Sequence, residues 1–219
     1  IFNKDDFNIL EYLEDDGQIV EPRFYVPSIP LVLVNGAIGI GTGYSTNIPH
    51  YKPDDIIKNI LRVLSNKEMF DMVPWYKGFT GTIEEESEGV FTCKGVMTKT
   101  SSKTVKITEI PIGVSIENYK EFLESNEDFD TVNQSTDENP RFDLKFKDVN
   151  VMAKYDYKKL KLVSKINTTN MHLFNHESKI VKYNNPCDII KDFVKVKLAY
   201  NTKRQKYLVD KYNKELVIL

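Results

Sequence analysis

Cysteine is scarce. The 219 residues hold two, Cys93 and Cys187, far apart and with no CxxC spacing. So few thiols exclude a disulfide-built scaffold and make a reducing, intracellular compartment the default expectation. The three histidines, His50, His172 and His176, do not combine with the cysteines into a metal-ligand spacing. His172 and His176 stand four apart, but Asn170 and Asn175 around them argue against a stable helix there. No apolar run reaches the roughly 18 residues that a membrane-spanning helix needs. The chain opens on Ile1, and no basic stretch precedes a short apolar block, so no signal peptide is read. That isoleucine start leads us to expect a piece of a longer polypeptide. Internal repeats and low-complexity segments are absent as well.

What remains is ordinary globular composition, 41% hydrophobic and 28% charged, enough for one good core or two small ones. The net charge of −2 is unevenly spread. Residues 1–150 carry 15 basic and 26 acidic side chains, a balance of −11, whereas residues 151–219 carry 15 and 6, a balance of +9. Such asymmetry fits either a polyanion near the second part or a lysine-rich solvated helix face.

Apolar positions at Phe7, Ile9, Leu10 and Leu13 predict a short helix over residues 5–14, ended by Asp15-Asp16-Gly17. Pro27 and Pro30 force an extended path before the apolar run Leu31–Val34. A well-punctuated helix follows: Pro53 at its first position, Asp54 and Asp55 in its first turn, and Ile56, Ile57, Ile60, Leu61 and Leu64 as its expected buried stripe. Residues 78–112 read as short β-branched strands, 79–83, 89–92 and 104–108, separated by turns. A helix is expected over 115–125, a polar turn over 131–140, a strictly alternating strand over 142–146, and another strand within 160–174. From Pro186 onward there is no further Pro or Gly. The prediction there is one helix of roughly 30 residues, well beyond the usual mean of about 11–12. A helix of that length needs a partner beyond its own domain.

The sharpest local feature is Asn35-Gly36-Ala37-Ile38-Gly39-Ile40-Gly41-Thr42-Gly43. Its glycines permit close backbone approach to a ligand. One reading is a phosphate-cradling nucleotide loop over 36–43, although neither GxGxxG between a strand and a helix nor Gly-Lys-Ser/Thr is present. A second is a β-structured loop that projects Ile38 or Ile40. A third is a glycine-rich bend buried in a core. The acidic runs Glu14-Asp15-Asp16 and Glu84-Glu85-Glu86 do not converge from different elements, as a hard-cation site requires. No serine–histidine–acid set can be argued.

A family resemblance then covers nearly the whole chain. Glu21-Pro22-Arg23-Phe24-Tyr25-Val26-Pro27, Ile29-Pro30-Leu31-Val32-Leu33-Val34-Asn35-Gly36-Ala37, Gly39-Ile40-Gly41-Thr42-Gly43-Tyr44-Ser45 and Ile48-Pro49 resemble the segment that follows the active-site domain of type IIA DNA topoisomerases. The likeness continues through Tyr76-Lys77-Gly78-Phe79, Gly81-Thr82-Ile83-Glu84-Glu85 and Thr108-Glu109-Ile110-Pro111, then Asn170-Met171-His172-Leu173-Phe174 and Asp188–Phe193, in the family's order. The wording is that of eukaryotes and large DNA viruses. There are departures: Ile38 stands where those enzymes usually have an acid, Tyr44 replaces a usual tryptophan, and Gly113 and Ser115 replace an arginine and a tryptophan.

The resemblance implies an α+β fold. A mixed or antiparallel sheet with packed helices forms the tower, or shoulder, domain over 1–185, and 186–219 begin a long coiled-coil arm. It implies part of an ATP-dependent, homodimeric isomerase that passes one DNA duplex through a transient double-strand break in another. The arginine–tyrosine pair that cuts DNA is expected before Ile1, so no catalytic residue and no metal ligand is expected in this chain. ATP and Mg2+ are expected to bind the full-length enzyme elsewhere. DNA-binding falls on Ile40, as an intercalating wedge, on Thr42 and on Ser115. The nucleus, or viral or host cytoplasm, is the implied location, with no membrane partner.

Overall fold

The computed structural model describes residues 1–218. Its contacts divide the chain into two compact units, one built from Ile1–Met72 with the chain from Thr168 onward, the other from Val73–Asn167. The folds are α+β, and the sheets are antiparallel.

The first unit opens with a short 3-10 helix at Lys4–Asn8, capped by Asn3, whose Oδ1 accepts the Asp5 amide at 2.9 Å. Then β1 (Tyr12–Asp15) pairs with β2 (Gln18–Pro22). The expected helix over 5–14 is therefore a 3-10 helix followed by a hairpin strand. The reason is turn chemistry: Asp16 and Gly17 sit at φ 49° and 77°, both left-handed, as a two-residue hairpin turn requires. After Pro30 the apolar run forms a five-residue helix, α1 (Leu31–Asn35), which buries Leu33. A two-stranded ribbon follows, β3 (Ala37–Ile40) against β4 (Ser45–Ile48).

Helix α2 (Pro53–Leu64) starts as expected, with proline at its first position and two aspartates in its first turn. Its core face keeps only Ile56 and Ile60 of the expected stripe. Ile56 and Asn59 are buried, whereas Ile57, Leu61 and Leu64 are exposed. A polar residue wins a core position because Asn59 closes two bonds to the chain beyond the helix. Its Nδ2 donates to the Phe70 carbonyl at 2.9 Å, and its Oδ1 accepts the Phe70 amide at 3.1 Å.

The second unit contains β5 (Thr82–Ser87), β6 (Val90–Lys94), β7 (Val96–Lys99), β8 (Thr104–Glu109), α3 (Ile116–Glu124), β9 (Phe129–Asn133), β10 (Phe142–Phe146), α4 (Val149–Met152) and β11 (Val163–Asn167). One sheet runs β11-β6-β5 and the other β7-β8-β10-β9. Strand β10 alternates inward and outward as its sequence predicts, burying Phe142, Leu144 and Phe146. Helix α3 packs Tyr119 and Leu123 into the same core. Burial pushes the Tyr119 phenol up, and its hydroxyl donates to the Leu160 carbonyl at 2.6 Å. The expected polar turn over 131–140 is shorter than read, because β9 takes its first three residues. It forms an edge strand against β10 and buries only Phe129.

Returning to the first unit, β12 (Met171–Phe174) pairs with β13 (Ile180–Tyr183). The single strand expected within 160–174 is thus two, β11 and β12, one in each unit. Helix α5 (Pro186–Ile218) is continuous over 33 residues. Its proximal half buries Ile189, Ile190 and Val194 beside Leu33, Ile48, Tyr51, Ile56 and Met171. Among the described residues Tyr200 is the last that α5 buries, and every one from Val209 on is exposed. Two polar ties fix the helix as far as Arg204. The Tyr183 hydroxyl donates to Asp192 at 2.9 Å, and buried Asp6 meets Arg204 at 2.8 Å and Lys197 at 4.0 Å.

Candidate nucleic-acid interface

The glycine-dense segment resolves into the β3–β4 ribbon. Ala37 pairs with Ile48, Ile38 with Asn47, Gly39 with Thr46 and Ile40 with Ser45. The Gly41 amide then donates to the Tyr44 carbonyl at 2.8 Å, closing the tip around Thr42 and Gly43. Two glycines are required by conformation. Gly36 has φ 66°, and a Cβ there would lie 2.7 Å from the His50 ring and 2.8 Å from the Ile48 carbonyl. Gly43 turns the tip at φ 84°. Side chains other than glycine rarely adopt either backbone state.

The ribbon settles which glycine-loop reading holds. Backbone groups that would have to converge on a phosphate are used by the ladder with β4, and a strand rather than a helix N-terminus follows the loop. The nucleotide cradle over 36–43 therefore fails on geometry. The buried-bend reading fails as well, because Ile40 is 94% exposed and Ile38 85%. Two isoleucines standing almost fully in water, on a strand with glycines beside them, have no role in holding this fold together. Period-two geometry puts both on one face of β3. Ile40 is the one beside the tip, paired with the first residue of β4.

Thr42 occupies the tip itself and is exposed. Ser115 lies in the other unit, where it caps α3 with an extended backbone and no side-chain capping bond. It is exposed too. Gly113, two residues earlier, has φ 86° with open space around it. The structure thus groups Ile40 with Thr42 on one hairpin and places Ser115 on a separate unit.

Beside the ribbon runs a groove of about 390 Å³, lined among others by Ile40, Tyr44, His172, Phe174 and Ile180. Phe174 and Ile180 are exposed there. The Tyr44 ring lies 5.8 Å from that of His172, tilted at 59°. Reading residues in isolation missed Asn170 and His172 at this site. The available signal was alternation: apolar Met171 stands between polar Asn170 and His172, and it is buried on a strand that falls within the range where one was expected. Among the described residues, no cluster of three or more His, Cys, Asp or Glu side chains is placed to hold a metal ion, and no helix is long and apolar enough to cross a membrane.

The family model for the A-type subunit of DNA gyrase/topoisomerase IV matches residues 1–219. The chain belongs to this family. Relatives include DNA topoisomerase 2 of Pisum sativum, 40% identical over all of this chain and 16% of that protein. DNA topoisomerase 2 of Acanthamoeba polyphaga mimivirus is 33% identical over all of this chain and 23% of its own length. Among solved structures, the Plasmodium falciparum topoisomerase II DNA-binding, cleavage and re-ligation domain superposes with a TM-score of 0.94 at 40% identity, covering 98% of this chain and 31% of that one. The chain thus spans about one sixth of the first of these topoisomerases, as the 16% coverage states. The fold that carries the exposed ribbon is shared with that solved domain over nearly the whole of this chain.

Proposed function

We propose that this chain is the duplex-bending part of an ATP-dependent, homodimeric type II DNA topoisomerase, an enzyme that passes one duplex through a transient break in another. One observation carries the reading: Ile40, 94% exposed at the end of a two-stranded ribbon beside Gly41. An apolar wedge of this kind partly unstacks a base step, and the resulting bend brings more protein against phosphate. Thr42 at the tip and Ser115 at the start of α3 supply hydroxyls suited to phosphate contact. Residues 1–185 serve as the tower domain and 186–219 as the start of the arm that pairs in the dimer. The exposed distal face of α5 supports that division of labour.

The cutting tyrosine, Mg2+ and ATP belong to other parts of the full-length enzyme. The enzyme works in the nucleus, or in viral or host cytoplasm. The test is a duplex carrying a fluorophore at each end, bound by the full-length enzyme at several salt concentrations. Bent duplex, with affinity falling as salt rises, is the expected result. Bound but straight duplex refutes the reading.

A further inference from the structure

The wedge stands on a weak element. A two-stranded ribbon by itself is marginal in water, and this one carries glycine at 39, 41 and 43. Unstacking bases costs a few kcal/mol per step. A ribbon that swings freely would yield before the base stack does, so something must hold it.

Strand β12 lies along its β4 side, and four consecutive residues of the ribbon are tied there. The Asn47 amide donates to the Asn170 carbonyl at 2.8 Å. The His172 amide donates to Thr46 Oγ1 at 3.1 Å. Asn170 Nδ2 donates to Ser45 Oγ at 2.8 Å. His172 Nδ1 lies 3.0 Å from the Ser45 carbonyl and 3.0 Å from Asn170 Oδ1. Both are acceptors, so Nδ1 carries the proton and donates. Tyr44 completes the series through its ring contact with His172.

Between these two side chains, Met171 is fully buried in the core with Leu33, Ile48 and Ile190. The strand is therefore anchored by Met171, with Leu173 packed against the same core, and reaches the ribbon with the residues on either side of Met171. We propose that Asn170 and His172 are positioning residues for DNA bending. They brace the β3–β4 ribbon against β12 and so set the angle at which Ile40 meets the duplex. This rests on the wedge reading of Ile40.

Two substitutions at one position separate a brace from a packed ring. In His172→Asn the side-chain amide can donate where Nδ1–H does. In His172→Gln the donor lies further out, where Nε2 is, and the Ser45 carbonyl and Asn170 Oδ1 lose their partner. Bending is read by end-to-end energy transfer on duplex bound to the full-length enzyme, and thermal midpoint is measured on the same samples. His172→Gln and Asn170→Ala should each lower the ratio of bent to straight bound duplex about tenfold. His172→Asn should stay within about twofold of wild type, and all three should melt within about 2 °C of it. Wild-type bending in His172→Gln overturns the brace. So does equal loss in the Asn and Gln variants, or a fall in melting temperature that accompanies the loss. Ile40→Ala on the same duplex tells the two ideas apart. If it bends DNA like wild type, the wedge itself is wrong. If it alone loses bending, only the brace is wrong.

Discussion

Ile40→Ala is the most direct perturbation of the proposed site, and the structure gives opposite magnitudes for its two effects. On the folding side, a side chain already 94% exposed has almost no burial to lose. The expected change in stability is within about 0.5 kcal/mol, or under about 2 °C in melting temperature for a chain of this size. An isoleucine in a core would instead lose about 2–5 kcal/mol and roughly 4–20 °C. On the DNA side, alanine removes about three carbon atoms from whatever enters the base stack. At about 0.8 kcal/mol per buried methylene that is roughly 2.4 kcal/mol, about a fiftyfold fall in the equilibrium toward bent duplex. This is comparable with the unstacking cost, so bending should nearly disappear. The assay pairs a melting curve with bend angle for the full-length enzyme, and DNA cleavage should fall together with bending. Ile38→Ala serves as the control, since Ile38 is also free of the core but lies further from the tip. Loss of bending in Ile38→Ala with none in Ile40→Ala would move the wedge to the other isoleucine. A large drop in melting temperature with normal bending would refute the argument altogether.

The 219-residue chain by itself should leave supercoiled plasmid unchanged in the presence of Mg2+ and ATP; relaxed or linear product from clean protein would contradict that. Amide exchange should be much faster at Tyr212 than at Ile56, because α5 buries no described residue beyond Tyr200 while Ile56 is sealed in the core; equal protection would show the distal helix is held by something else. Burial, then the Asp192 carboxylate that accepts its hydroxyl, raises the Tyr183 phenol from 10.0 to about 12. A raised folded value means the contribution is complete below pH 10 and is lost as pH rises through about 12, so Tyr183→Phe should flatten the fall in urea stability over that window. An unchanged slope would rule it out. Asp6→Ala leaves Arg204 and Lys197 facing each other without their shared carboxylate, and should cost about 2–3 kcal/mol after allowance for partial solvent access. If adding Lys197→Met to that variant recovers none of the loss, the ion cluster is not the cause.

Where a segment's own chemistry decides its conformation, the sequence was enough to read it. Helix α2 begins at Pro53 because proline and two aspartates suit a first turn, and β10 alternates because one face of it is core. Helix α5 extends without interruption because nothing in its sequence can stop it. Competition between two local signals was harder. Phe7, Ile9, Leu10 and Leu13 are spaced for a helix, but the Asp16-Gly17 turn pairs their C-terminal part with β2, and a hairpin needs the extended state. Which face of α2 turns inward is not a local matter at all. Ile57, Leu61 and Leu64 look as apolar as Ile56, but Ile56, Ile60 and Val63 are the ones that pack against the core, on the helix whose Asn59 bonds Phe70.

The same distinction runs through the candidate site. The glycines around Ile38 and Ile40 left three readings open, because spacing alone does not say whether such a loop cradles, buries or projects. Pairing with β4 decides it, and that pairing needs Ser45–Ile48, a stretch of no obvious strand character. The brace is more distant still. Asn170 and His172 lie more than a hundred residues beyond the ribbon they hold, and nothing in the spacing of either links it to that ribbon. Neither has any reason to be buried, and neither is needed by the core, which Met171 already serves. A polar pair flanking one buried residue on a short strand is what remains when a strand must be fixed on one side and must grip something on the other. In this fold the gripped element is the one carrying the exposed isoleucine. The stiffness of a wedge therefore has to be sought in the strand beside it, since the glycines that leave Ile40 unscreened also deprive its own ribbon of side chains that could stiffen it.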